Sequence, residues 1–228
     1  GAAVIGRILE AEGLKIAIVP QPNWRDDLRD FKKLGRPRLF FGISGGCMDS
    51  MVNKYTANKR LRSEDAYTPD GRPDMRPDYP STVYSQILKR LYPDVPVILG
   101  GIEASMRRLS HYDYWQDKVQ KSILCDSGAD LLIYGMGEKP IVELTRKIKG
   151  LLPTEDAVCT VNDLKTIIGT IPQTAYLCRA SEWTSDTEDI QLYSHEECLA
   201  DKKKQASNFR HIEEESNKYA ASRKIGRA

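Results

Sequence analysis

Apolar and polar positions follow two rhythms along this chain. One is a series of short, nearly unbroken apolar runs at residues 15–19, 38–43, 95–99 and 130–134. Runs of this length suit strands covered on both faces. The other is helical spacing between those runs. Val4, Ile5, Ile8 and Leu9 recur at helical intervals up to Gly13, a good helix stop. Leu28, Phe31 and Leu34 do the same up to Gly35, with Asn23 as a cap for a helix over residues 24–34. Val83, Ile87 and Leu91 form a third stripe, with Tyr84 and Leu88 beside it. Further helices are expected over about 115–126 and 140–149, with weaker ones near 48–58 and 163–168 and a last edge strand at 174–178.

Strands alternating with helices predict an α/β fold: an open, mostly parallel, doubly wound sheet of Rossmann-like or flavodoxin-like type. A helix comes first here, where a strand usually does, so an upstream first strand is expected before residue 1. The domain is expected over residues 1–180, with residues 181–228 a linker and an amphipathic C-terminal helix. Residues 181–189 are polar, and Ser194 with Glu197 has capping-box spacing. The helix it opens carries Leu199, Ala206, Phe209, Ile212, Ser216 and Tyr219 on one narrow face, which needs a surface to lie on.

The strand ends carry the candidate chemistry. Three of the runs stop at glycines: Gly45 and Gly46, Gly100 and Gly101, Gly135 and Gly137. Glycine lets the backbone turn sharply and lets another molecule approach closely. Glu103 and Glu138 follow two of these turns, and Pro140 suits the first turn of a helix. In open α/β sheets, ligands settle at the carboxyl ends of the strands. Gly45, Gly46, Gly100, Gly101, Glu103, Gly135, Gly137 and Glu138 are therefore expected to line one cofactor-binding edge. The alternative, that the glycines only make tight turns, stays open at this point. Residues 102–115 are dense in binding groups, so Arg107, Arg108, His111, Tyr112 and Trp115 are expected substrate or domain contacts. Residues 59–80 break the rhythm: Arg60, Arg62, Arg72 and Arg76 alternate with acids and prolines, as in a functional flap or a solvated loop.

Charge changes the picture by exclusion. Lys+Arg 34 against Asp+Glu 32 leaves no global field for nucleic acid or an anionic membrane, and no apolar run approaches a membrane span. The five cysteines (Cys47, Cys125, Cys159, Cys178, Cys198) are odd in number and scattered, which points to reduced thiols and the cytoplasm. Cys125 and Cys178 read as small core residues. No metal-ligand cluster or Ser-His-Asp constellation stands out, so these residues alone are expected to be non-catalytic, with no metal and no catalytic residue assigned.

Three stretches together carry a resemblance: residues 100–108 (Gly-Gly-Ile-Glu-Ala-Ser-Met-Arg-Arg), 111–115 (His-Tyr-Asp-Tyr-Trp) and 134–141 (Tyr-Gly-Met-Gly-Glu-Lys-Pro-Ile). With residues 1–7 and 21–25, they resemble the amino-terminal region of the YgiQ-type radical S-adenosylmethionine (SAM) proteins, a bacterial family. The likeness covers most of residues 1–149 and thins beyond. It implies a cobalamin-binding-like accessory domain of a radical enzyme, with cobalamin a candidate cofactor. The 4Fe-4S cluster and S-adenosylmethionine would belong to a domain beyond residue 228, because Cys-x-x-x-Cys-x-x-Cys does not occur here. The usual Asp-x-His-x-x-Gly of cobalamin domains is also missing, and residues 20–24 offer no histidine. The partner so implied is the chain's own radical SAM domain, with a small-molecule or nucleotide ligand beside it. The other readings are a docking module without ligand and a nucleotide- or RNA-binding module.

Overall fold

In chain order the first unit contains α1 (Ala2–Ala11), α2 (Arg29–Lys32), β1 (Phe41–Ser44), α3 (Ser50–Lys54), α4 (Pro80–Leu91), β2 (Val97–Gly100) and α5 (Gly101–Met106). The chain next contributes the hairpin β3 (His111–Asp113) and β4 (Lys118–Gln120) to a second unit. It then returns to the first with α6 (Ile123–Ser127), β5 (Leu131–Ile133), α7 (Glu138–Leu151), α8 (Val161–Ile167) and β6 (Thr174–Ala175). The second unit is completed by β7 (Ile190–Gln191), α9 (His195–Ala200), α10 (Lys202–Ser216) and β8 (Ile225–Gly226). This computed structural model describes every residue except Thr184, Ser185, Thr187, Ala220, Ser222, Arg227 and Ala228. Part of the expected linker at 181–189 thus lies outside the described residues.

The first unit is mixed α/β, built on a four-stranded sheet in the order β1-β2-β5-β6. β1, β2 and β5 are parallel, and only the short edge strand β6 is antiparallel. Residues of β2 and β5 alternate between two apolar clusters, as the two-residue period of a strand requires. Val97, Leu99 and Leu132 join Tyr84, Ile87 and Leu88 of α4 and Ile123 and Leu124 of α6. Ile98, Leu131 and Ile133 join Leu9 of α1, Ile141, Leu144 and Ile148 of α7, and Leu164 of α8. Each such fully buried side chain contributes about 1.5–3 kcal/mol. Among the described residues no helix is long and apolar enough to cross a membrane.

Several expected elements do not form, for local reasons. Residues 24–34 yield only the four-residue α2, because side chains take the amides a helix would use. Asp26 accepts from the Leu28 amide, Asp27 from Arg29 and Asp30 from Asn23, and Leu28 takes a left-handed φ of 62°. Residues 15–19 form no strand, although Ile16 still packs against the second apolar cluster. Among the described residues no strand pairs with this run. In place of a helix at 115–126 the chain makes the β3–β4 hairpin and then α6. Asp117 turns at φ 52°, and the buried Asp113 accepts from the Gln116 amide. Cys125 and Cys178 are exposed, while Cys159 and Cys198 are buried. On the short α6, Ile123, Leu124 and Ser127 turn inward, leaving Cys125 outside.

In the second unit, Ser194 and Glu197 do form the capping box, but the helix breaks at Asp201, whose extended backbone ends α9 and caps α10. Leu199, Phe209 and Tyr219 stay exposed, and α10 buries Asn208 and Glu215 instead. Asn208 exchanges hydrogen bonds with the Tyr193 backbone, and Lys218 and Arg223 hold the Glu215 carboxyl at about 2. Ser110 Oγ sits 3.0 Å from His195 Nδ1 and joins the hairpin to α9.

Candidate functional site: the carboxyl rim of the sheet

Because β1, β2 and β5 are parallel neighbours, their carboxyl ends meet on one edge. Ser44 stands in register with Gly100, and Leu99 with Leu132. Just past those positions Gly46, Gly101 and Gly135 all take left-handed φ values, 119°, 82° and 66°. L side chains are strained there, which is why glycine ends each strand. All three are exposed. Gly101 also has no room for more, since a Cβ there would stand 2.7 Å from Ser44 Oγ. α5 starts at Gly101 and α7 follows Gly137, with Glu138 in its first turn, where the helix dipole favours a carboxylate. Ser105 Oγ donates to the Gly101 carbonyl (2.8 Å) and accepts from the Gly135 amide (3.1 Å), tying two of the turns together. Gln173, before β6, donates to the Tyr134 and Met136 carbonyls and braces the β5 turn.

The β1 half of the edge is filled by the protein itself. Glu103 is completely buried. Its Oε1 accepts from the Ser81 amide at the start of α4 (2.9 Å), and its Oε2 from the Ser50 amide at the start of α3 (3.2 Å). One carboxylate thereby satisfies orphan donors of two helices. It lies so close to Gly45 that a Cβ there would meet Oε2 at 2.7 Å. Arg107 is buried as well: its guanidinium pairs with Asp49, the residue capping α3, and lies over the Tyr79 ring. Arg108 is half-buried, donating to the Ser105 carbonyl (2.7 Å) and stacking on Tyr134 with 4.9 Å to the ring centroid.

Residues 59–80 form a strap over this half. Arg76 donates to the Gly45 carbonyl (3.4 Å) and pairs with Asp65 (2.8 Å), both side chains being nearly buried. Burial by itself would raise the Asp65 carboxyl, but hydrogen bonds from Asn53, the Tyr67 amide and Arg76 outweigh it and hold it at about 2. Tyr84 packs its ring in the first apolar cluster, and its phenol is pushed up to about 12 by burial, with Arg76 opposing and Glu103 reinforcing. Lys54 fastens the strap through Asp74 (2.6 Å) and Asp78 (2.8 Å), and Arg25 reaches Asp74 at 3.0 Å. Arg60 and Arg62 line an open surface groove, and Arg72 pairs with Asp70 in solvent.

The sequence-predicted residues are thus divided. Gly101 and Gly135 share the open half of the edge; Gly46 is exposed but lies on the strapped β1 half beside Arg76, and Gly45, Glu103 and Arg107 are internal. His111, Tyr112 and Trp115 belong to the second unit. There His111 Nδ1 lies 3.0 Å from the Leu109 carbonyl, Tyr112 donates to Asp117, and Tyr114 packs edge-on against Trp115. Sequence reasoning missed Asp49 and Asp65. Asp49 carried a signal, an aspartate just before a helical stretch, whereas Asp65 was one acid among many in a charged loop. No group of three or more His, Cys, Asp or Glu side chains that could hold a metal occurs among the described residues.

A mixed α/β domain with a mostly parallel sheet, its strands released at glycine turns along one rim, is the class this geometry defines. The chain belongs to the radical SAM N-terminal family, whose model matches residues 1–227, well past the stretch that carried the resemblance. It is 89% identical to a UPF0313 protein of Bacteroides thetaiotaomicron over 98% of this chain and 36% of that protein. A Porphyromonas gingivalis UPF0313 protein is 65% identical over 98% and 34% of the two chains. One from Pseudomonas syringae is 57% identical over 65% and 19%. The chain spans about a third of the length of these Bacteroides and Porphyromonas relatives. No solved structure matches it.

Proposed function

We propose that this chain is an accessory domain of a longer radical SAM protein, its sheet doubly wound in the Rossmann manner and its open rim the seat of a guest molecule. The observation that carries the reading is the row of three exposed, left-handed glycine turns at adjacent parallel strand ends. Membership of the radical SAM N-terminal family and the one-third coverage of the relatives support an accessory role. The cluster and S-adenosylmethionine fall to the rest of that protein, since five scattered cysteines do not make the three-cysteine motif. The cytoplasm is the setting, on that same cysteine usage.

Cobalamin fits this unit only without a cobalt ligand from it, because His111, His195 and His211 all lie in the second unit. The rim offers backbone donors and acceptors at glycine turns, chemistry suited to a corrin amide edge or a nucleotide. Equilibrium titration with hydroxocobalamin and with adenosine nucleotides tests this. The expected result is saturable binding at roughly micromolar ligand, weakened in a folded Gly135→Ala variant. Binding by none of them reduces the rim to tight turns.

A docking module without ligand is the second reading, favoured because Glu103 and Arg76 already fill the β1 half. Recognition of RNA is disfavoured, since Arg76 and Arg107 are committed to buried ion pairs.

A further inference from the structure

The open half of the rim has an apolar surface that ligand recognition does not explain. Ile102 and Met106 stand four residues apart on α5, 47% and 58% exposed, and Met136 in the β5 turn is 76% exposed. Residues i and i+4 of a helix share a face. The 3.1 Å hydrogen bond from the Gly135 amide to Ser105 Oγ ties α5 to the β5 turn, and Met106 and Met136 each directly follow one of its partners, so both elements bring an exposed methionine to this part of the rim. Tyr134, just before Gly135 in the same turn, is half-buried under the Arg108 guanidinium and adds a cation-capped aromatic. Methionine is adaptable and recurs at surfaces that must fit a partner. Exposed apolar groups clustered around fixed backbone mark an interaction surface.

We infer that Ile102, Met106 and Met136 form the docking face for the remainder of the longer protein, the two-thirds of the relatives' length that this chain does not match. The occupant is chosen by area. Three side chains offer a few hundred Å² at most, far short of the roughly 800 Å² per partner of a stable complex between separate molecules. A tethered partner needs much less, because the linker supplies an effective concentration in the millimolar range. The face therefore suits a domain on the same polypeptide better than a second copy. This inference rests on the accessory-domain reading but not on any small ligand.

Methionine oxidation footprinting tests it, with the chain's own methionines as controls. Oxidation rates follow exposure. In the 228-residue chain, Met106 and Met136 should oxidise fast with dilute peroxide, Met75 (43% exposed, on the strap) also readily, and Met51 (4% exposed) slowly. In the full-length protein, Met106 and Met136 should slow by roughly tenfold, while Met75 and Met51 keep their rates, and the protection should be independent of protein concentration. Equal rates at Met106 and Met136 in the two proteins would overturn the inference. So would protection that also covers Met75, which signals general shielding, or protection that grows with concentration, which signals a second copy. Adding hydroxocobalamin to the 228-residue chain separates the two proposals. Slowing there reports the ligand, and its absence leaves the full-length comparison intact.

Discussion

Truncating Glu103 to alanine removes the acceptor that two helix starts share. The Ser50 and Ser81 amides would be left without it in a region closed to solvent. A hydrogen bond to a charged group is worth about 1.5–3 kcal/mol, so two set a gross loss of roughly 3–6 kcal/mol. A cavity beside Gly45 adds to this, while relief of the buried charge's desolvation subtracts. The net expectation is destabilisation of about 3 kcal/mol or more. Glu103→Gln keeps one carbonyl acceptor but turns an NH2 toward a backbone donor, so about half that loss is expected. Urea unfolding at neutral pH, followed by circular dichroism, measures both. Gly45→Ala supplies the second arm. Its Cβ would stand 2.7 Å from Glu103 Oε2, an overpacking that costs about 1–3 kcal/mol. With the carboxylate gone the clash largely disappears, and the double variant should show a coupling on the order of 1–2 kcal/mol. Since no ligand is needed for any of these losses, they separate a structural Glu103 from a ligand-binding one. A Glu103→Ala variant within about 1 kcal/mol of the parent, or strictly additive penalties, would refute the reasoning.

Two further predictions concern ionisation and thiols. Asp65, held at about 2 against an ordinary 3.8, contributes stability that is present above pH 4 and lost as the pH falls toward 2. Roughly 2 kcal/mol is at stake; Asp65→Asn should lose it at pH 7 and flatten the urea-midpoint profile between pH 4 and 2, and an unaltered profile would count against the Arg76 pairing. Among the thiols, Cys47, Cys125 and Cys178 should react promptly with a disulfide reagent at pH 8. Cys159, its thiol pushed up to about 11 by burial, and Cys198 should react only after unfolding, and five equal rates would contradict that division.

Much of the rim was legible in advance, because its parts are local. A β-run ending in Gly-Gly or Gly-Met-Gly announces a strand that must turn, and Gly46, Gly101 and Gly135 do turn through left-handed conformations. What was not legible is which polar groups face outward. Glu103 looks like a rim carboxylate in the sequence, yet it points in, because two helix starts that precede it by 53 and 22 residues converge on it. Arg107 looks like an anion hook, yet Asp49, 58 residues earlier, takes it. The helix expected at 24–34 failed because Asp26, Asp27 and Asp30 compete for backbone amides, a balance that apolar spacing does not register.

By itself, then, the sequence determined the alternation of apolar runs and amphipathic helices, the glycine hinges and the Ser194 cap, all governed by contacts within a few residues. The tertiary structure alone decided the sheet order β1-β2-β5-β6, the closing of one half of the rim by Glu103 and Arg76, and the exposure of Ile102, Met106 and Met136 on the other. The physical reason is that burial and ion pairing are settled by partners distant in the chain, and a residue's type does not state which partner reaches it.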